Sequence, residues 1–302
     1  MREVVRPAIE DANPIKKTPL FFETHMPLSD LPSLSQTIAQ HGLRTRKALG
    51  QHFLCDMNLI RKIVAQAGDL TGCTVFEVGS GPGGLTRALV ESSAASVIAI
   101  EKDSRCVQAL EALSAVAQER LRVIEGDALR LNLRDLSTAP RAVVANLPYN
   151  VGTELLLGWL HEMEAWQSLT LMFQAEVADR ICAAPHGKDY GRLSVLAQFC
   201  AVPKRVMEIP SGAFLPPPKV DSAVVHLVPR MDRPRDVPLA HLEKITAAAF
   251  GQRRKMLRSS LKPLGGQALL EKAGIDPTLR PENLSRTDFE NLARCWGGKG
   301  AL

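Results

Sequence analysis

Between about Leu43 and Pro229 the chain alternates short apolar runs with stretches of helical periodicity. Thr74-Val75-Phe76-Glu77-Val78 is rich in residues that favour strands and has the length of a buried one. A Gly-rich turn follows it, and then an amphipathic stretch, Leu85 to Glu91. Val97 to Ile100 predicts a second strand, Cys106 to Glu119 a helix, and Leu121 to Ile124 a third strand. Arg141 to Ala145 and Leu169 to Phe173 predict a fourth and a fifth. Such alternation is that of an α/β fold, a parallel sheet covered on both faces. Lys204 to Ile209 and Ser222 to Val228 are β-rich, are separated by a Pro-rich stretch, and predict an antiparallel edge.

The pattern changes at both ends. Residues 1–42 read as an N-terminal extension punctuated by Pro7, Pro14, Pro19, Pro27 and Pro32, with a short helix over Ser33 to Gln40 ended by Gly42. Pro229 to Pro238 is charged and Pro-containing, as a linker would be. Beyond it Leu239–Phe250, Gln252–Leu261, Gln267–Ala273 and Thr287–Cys295 have helical periods, the last with a capping sequence, Ser285-Arg286-Thr287-Asp288. The expected organisation is an extension (1–42), an α/β domain (43–232) and a small helical domain (233–302).

Composition narrows the class. The chain has 302 residues, 45% hydrophobic and 23% charged, as in ordinary globular proteins. No apolar run reaches the roughly 18 residues of a membrane span. Met1 to Pro19 mixes charges with three prolines and lacks the apolar stretch of a secretory signal, which predicts a cytoplasmic protein with no membrane partner. The six cysteines form no CxxC pair, so no metal site is expected, and the thiols should be reduced. A net charge of +5 is compatible with a polyanionic partner without establishing one.

The candidate chemistry sits at successive strand ends. Glu77 to Gly84 follows the first strand and opens a helix; glycines there permit a sharp turn and close ligand approach, and helix amides favour a negative group. Gly79, Gly81 and Gly84 fit GxGxxG literally, so a dinucleotide enzyme competes at this point. The second strand ends in Glu101, whose carboxylate suits ribose hydroxyls, and the third leads to Asp127, which suits an adenine amino group.

The fourth strand runs into Asn146-Leu147-Pro148-Tyr149. The exocyclic nitrogen of adenine is a poor nucleophile because its lone pair is delocalised into the ring. Two acceptors that hold its hydrogens turn that lone pair towards a methyl donor. Asn146 can supply a side-chain oxygen and Leu147 a main-chain carbonyl. Pro148 stiffens the turn, and Tyr149 can stack on the base. Asn-x-Pro is also a common plain turn; its position at a strand end beside the glycine loop favours the chemical reading.

With these residues in place, the chain resembles the small-subunit (16S) ribosomal RNA adenine N6,N6-dimethyltransferases, a class I methyltransferase family. The likeness is carried by Gly50 to Leu54 (GQHFL), Glu77 to Thr86, Asn146 to Asn150 (NLPYN), Phe173 to Arg180 (FQAEVADR), Tyr190 to Val195 (YGRLSV), Phe214 to Val225 (FLPPPKVDSAVV) and Phe250 to Leu261 (FGQRRKMLRSSL). It implies a seven-stranded, mostly parallel Rossmann-like sheet with a small helical C-terminal domain. It implies S-adenosylmethionine as co-substrate and two neighbouring adenosines near the 3′ end of small-subunit ribosomal RNA as acceptors. By the same resemblance His52, Leu54, Gly79, Gly81, Glu101, Asp127 and Asn146 contact the donor. Asn146, Leu147, Pro148 and Tyr149 hold the target base, with Phe214 on its other face. The partner is then a precursor of the small subunit, and the enzyme is expected to be a monomer. His52 and Ser259 stand where members often have Asn.

Arg253, Arg254, Lys255, Arg258 and Lys262 fall within ten residues. On a helix Lys255, Arg258 and Lys262 would share a face, a solvated one or one for RNA phosphates. Arg180, Lys188, Arg192 and Lys219 lie in the motif loops and are further candidates. The competing functions are a large-subunit ribosomal RNA adenine methyltransferase, which YGRLSV and the basic run disfavour, and a non-catalytic assembly factor, which the intact Asn146 and Tyr149 disfavour. A dinucleotide dehydrogenase would need a second catalytic set that no motif supplies.

Overall fold

The computed structural model describes residues 28–43, 51–138 and 140–297. The first 27 residues of the expected extension, and Gly50, lie outside the described residues.

Helix α1 (Leu34–Gln40) is closed at its start by a reciprocal cap: Ser33 Oγ accepts from the Gln36 amide and the Gln36 side chain accepts from the Ser33 amide. After the two-residue strand β1 (Phe53–Leu54) comes α2 (Met57–Ala65), capped by Asp56. The central alternation then follows: β2 (Thr74–Val78), α3 (Gly84–Glu91), β3 (Ser96–Glu101), α4 (Ser104–Ala109), α5 (Glu111–Ala117), β4 (Leu121–Glu125), β5 (Arg141–Asn146), α6 (Gly152–His161) and β6 (Ser168–Gln174). Two more helices, α7 (Ala175–Cys182) and α8 (Arg192–Cys200), precede β7 (Ala201–Ile209), the two-residue β8 (Phe214–Leu215) and β9 (Ser222–Pro229).

Seven strands form one sheet in the order β4-β3-β2-β5-β6-β9-β7. The first five are parallel, and β9 runs antiparallel to both β6 and β7. Each of the five sequence-predicted parallel strands is present, as is the antiparallel edge. Neighbouring residues of a strand face opposite sides. Val75, Val97 and Val144 therefore pack with α2 and α3, while Phe76, Ile98 and Val143 pack on the other side with α6 and α8. The strand order reverses between β2 and β5, and ligands of such sheets bind outside the carboxyl ends of the strands at that reversal.

The C-terminal helices are α9 (Leu239–Gly251), α10 (Leu257–Ser260), α11 (Gly266–Lys272) and α12 (Arg286–Gly297). Ser285 and Asp288 cap α12 reciprocally. Leu242, Leu270, Phe289 and Leu292 join the same core as Phe76 and Val143, so the helices and one face of the sheet bury a continuous apolar mass.

Two expectations change, and one pairing is new. Cys106 to Glu119 is two helices, joined at the buried Leu110, rather than one. Gln252 to Leu261 is not a continuous helix: residues 252–255 form a turn, and only Leu257–Ser260 is α-helical. The cause is local hydrogen bonding. The Leu257 amide donates to the Leu279 carbonyl (2.8 Å) and the Arg258 amide to the Pro277 carbonyl (3.1 Å), so neither continues a ladder from the preceding turn. The face that Lys255, Arg258 and Lys262 would have shared is therefore absent. The new pairing is the antiparallel one of β1 with β8, Phe53 opposite Leu215 and Leu54 opposite Phe214, which no periodicity announces. All six cysteines are unpaired, three of them buried.

Candidate functional site

Strand β2 delivers the chain into the glycine loop. Gly79 has φ +76° and a Cβ there would lie 3.3 Å from Pro148 Cδ; Gly81 has φ +53° and a Cβ there would lie 3.2 Å from the Phe53 ring. Both positions therefore need glycine for conformation as well as for space. The loop is wedged between the turn after β5 and strand β1.

Glu101, at the end of β3, closes the loop from the other side. Its Oε2 accepts from the Gly81 amide, and its Oε1 from the amides of Lys102 and Asp103, each at 2.8 Å. Only 6% of the residue is exposed. Burial raises its pKa above the ordinary value, against the three amides, which favour the charged form. Asp127, after β4, accepts from Lys102 Nζ at 2.8 Å and from the Leu129 amide at 3.1 Å, and these bonds hold its pKa down.

The turn after β5 forms the opposite wall. The Pro148 carbonyl accepts from the amides of Val151 (3.1 Å) and Gly152 (3.0 Å), which closes the turn and starts α6. The Leu147 side chain is buried beneath it. Asn146 Nδ2 donates to the His52 carbonyl at 3.4 Å, so its Oδ1 is left to accept. Tyr149 Oη lies 2.7 Å from Ser222 Oγ. Burial raises the phenol pKa, opposed by that bond.

These walls enclose one cleft of about 230 Å³. His52, Leu54, Gly79, Gly81, Glu101, Asp127 and Asn146 all line it, together with Leu147, Pro148 and Tyr149. Phe214 does not. It is 3% exposed, lies opposite Leu54 in the β1–β8 pair, and meets the cleft through the edge of the His52 ring, 6.5 Å away at 80°.

The structure adds residues that motif reading passed over. Glu77 Oε2 and Ser80 Oγ are buried on the cleft wall without a hydrogen-bond partner among the described residues. Burial, with the nearby Glu101 charge and against the Thr86 hydroxyl, pushes the Glu77 carboxyl up to about 8. Gln51 Nε2 donates to Asp103 Oδ2 at 3.2 Å, and Arg105 with Gln51 holds the Asp103 carboxyl down at about 2. The glycine-loop sequence places Glu77 at the end of a buried strand, the one signal that marks it in advance.

The model of the family described as ribosomal RNA adenine dimethylase matches residues 42–296. The chain belongs to this family. Among curated relatives, "Ribosomal RNA small subunit methyltransferase A" of Gluconobacter oxydans is 53% identical over 263 residues, 87% of each chain. The protein of that name from Sinorhizobium medicae is 55% identical over 271 residues, 89% of this chain and 98% of its own. A dimethyladenosine transferase crystal structure from Plasmodium falciparum superposes with a TM-score of 0.70 at 25% identity, covering 80% of this chain and 96% of its own. The 23S rRNA methyltransferase ErmE shares the fold, with a TM-score of 0.61 at 24% identity, over 81% of this chain and 99% of its own.

In this member of the dimethylase family the basic run lies away from the cleft. Arg254, Lys255 and Arg258 are exposed. Arg253 is drawn inward, with Nε 3.4 Å from Glu282 Oε2 and Nη2 3.4 Å from the Gly187 carbonyl. Of the loop candidates, Arg180 pairs with Glu176. Among the described residues no helix is long and apolar enough to cross a membrane.

Proposed function

We propose that the protein transfers methyl groups from S-adenosylmethionine to the exocyclic N6 of two adjacent adenosines near the 3′ end of small-subunit (16S) ribosomal RNA. The observation that carries this is the convergence of two half-sites on one cleft, the Gly79–Gly81 loop with Glu101 and Asp127, and the turn Asn146 to Tyr149. The first half fits the donor. Glu101 faces the ribose, Asp127 the adenine amino group, and Ser80 Oγ, without a partner among the described residues, offers a polar atom to the remainder. When bound there, the donor supplies an electrophilic methyl group on a sulfonium.

The rest is positioning by this chain. Asn146 Oδ1 and the Leu147 carbonyl accept the two amino hydrogens and direct the nitrogen lone pair across the cleft. Pro148 holds that turn without an N–H of its own, and Tyr149 supports the face of the base. As the N–CH3 bond forms, the S–CH3 bond of the donor breaks and its electron pair stays with S-adenosylhomocysteine; the nitrogen takes the positive charge, and its surplus proton passes to water. A free amino hydrogen remains after the first transfer, which allows a second. A target adenosine leaves its stack before entering.

Arg253, Arg254, Lys255 and Arg258 serve the RNA backbone in this reading, from a helical C-terminal unit (233–302) joined to the catalytic unit (43–232). The enzyme works as a cytoplasmic monomer on a precursor of the small subunit. The substrate rests on the relatives above 50% identity, which carry the small-subunit name. The likeness to the 23S enzyme is one of fold. Mass spectrometry of small-subunit ribosomal RNA from cells lacking the protein tests the proposal: loss of N6,N6-dimethyladenosine at both sites is expected, and intact modification overturns it. Calorimetry tests the donor: S-adenosylhomocysteine binding without NAD binding is expected, and the reverse overturns it.

A further inference from the structure

His52 belongs to the block before the first long strand, and the resemblance assigned that block to the methyl donor. The contacts of the His52 ring are with Tyr149, Phe214 and Pro216. His52 Nδ1 lies 2.8 Å from the Pro216 carbonyl oxygen. A carbonyl only accepts, so Nδ1 carries the proton and donates. The ring stacks on Tyr149, with centroids 5.5 Å apart and planes at 29°, and meets Phe214 by its edge at 6.5 Å. The main chain of the same residue accepts from Asn146 Nδ2. One residue thus touches Asn146, Tyr149, Phe214 and the proline-rich loop, all elements of the acceptor side.

We propose that His52 is a positioning residue for the acceptor adenine. Its ring is a wedge that sets the separation of Tyr149 from Phe214 and locks the 214–216 segment against the Asn146–Tyr149 turn. The arrangement follows from strand pairing. Leu54 lies opposite Phe214 in the β1–β8 pair, so the residue two before it is carried beyond the end of that pair, where Pro216 returns. Asn at this position can offer an N–H to the Pro216 carbonyl but no ring, so the wedge is a device of this chain rather than of the motif. Methyl transfer needs the nucleophile aligned within a narrow range, and a misplacement of about 1 Å can cost on the order of 100-fold in rate. The inference rests on the methyl-transfer function proposed above.

Three variants separate the parts: His52→Ala removes ring and donor, His52→Asn keeps a donor, and His52→Phe keeps a ring. Single-turnover methylation of unmethylated small subunits gives the rate, calorimetry gives S-adenosylhomocysteine affinity, and thermal melting reports the fold. The expected result is a fall of about ten- to 100-fold for H52A, little recovery in H52N and most of the rate in H52F. S-Adenosylhomocysteine affinity and melting temperature stay near wild type in all three. Wild-type rates in H52A and H52N would overturn the proposal. So would a loss of donor-product affinity in proportion to the rate, which would return His52 to the donor side, or a rate loss matched by a fall in melting temperature that H52F fails to restore. Inactivity of the wild-type protein on small subunits is a separate outcome, and it would sink the substrate reading and this role together.

Discussion

Tyr149 Oη and Ser222 Oγ lie 2.7 Å apart, which ties the Asn146–Tyr149 turn at the end of β5 to the first residue of β9, two strands away. Ser222 is fully buried, so its hydroxyl has no recourse to water if the phenol is removed. The bond holds the Tyr149 ring in place, whereas in the proposed function the ring face meets the base. Tyr149→Phe keeps the ring but strands the buried Ser222 hydroxyl, which should cost about 1–3 kcal/mol of stability. Because that cost falls mainly on the fold and not on the transition state, methylation should slow by less than about tenfold. Tyr149→Ala should slow it by a further order of magnitude or more, for want of the aromatic surface. Single-turnover rates on small subunits decide this, and equal rates for the two variants would show that the ring face is idle.

Asn146 Nδ2 donates to the His52 carbonyl, and in the proposed function its Oδ1 accepts from the base. Asn146→Ala removes both and should lower the transfer rate about 100- to 1,000-fold, the range for loss of one well-placed polar group. Asn146→Asp retains an oxygen but sets it against the His52 carbonyl, and should fall between. Dimethylation at wild-type rate by N146A would remove Asn146 from the chemistry. S-Adenosylhomocysteine affinity, measured alongside, should change much less than the rate.

Glu77 predicts a pH dependence of stability. Its folded pKa, about 8, lies above the ordinary 4.5, so folding favours the protonated form. The stabilisation is complete below 4.5 and is lost as pH rises through 8. Glu77→Gln keeps a neutral side chain of the same shape at every pH. The difference in melting temperature between ligand-free wild type and E77Q should therefore shift against the wild type from pH 5 to pH 8.5. A constant difference across that window would show that Glu77 is ionised throughout.

The basic turn should act on affinity rather than on chemistry. If Arg254, Lys255 and Arg258 each meet a phosphate, the triple alanine variant should weaken subunit binding and lower the salt slope by about 0.7 to 0.9 per lost contact. Rates at saturating subunit should stay near wild type. Titrations at several salt concentrations check this, and an unchanged slope would place the RNA contact elsewhere.

The sheet was legible because its strands are apolar on both faces and differ sharply from the helices between them. Val75, Val97 and Val144 are buried on one side, and Phe76, Ile98 and Val143 on the other. The glycine loop, Glu101, Asp127 and the turn at Asn146 were legible because each ends a strand, and parallel strands bring their ends together. The β1–β8 pair was not, since two residues show no period. The basic helix failed for a related reason: the amides of Leu257 and Arg258 choose the distant carbonyls of Leu279 and Pro277. The ring contact of His52 with Tyr149 joins residues far apart in sequence, and no local pattern encodes it.

The continuous core beneath the sheet has a consequence for how two neighbouring bases are reached. Phe76 and Val143 share one apolar mass with Leu242, Leu270 and Phe289, so the turn carrying Arg254 and the turn carrying Asn146 keep a built-in gauge length. In the proposed function a docked strand offers only the nucleotide that falls at that interval. If the RNA backbone is held at Arg254 and that interval is kept, reaching the adjacent adenosine takes an advance of the RNA by one position. A strand pinned on both sides would then stall with one adenosine dimethylated and its neighbour bare.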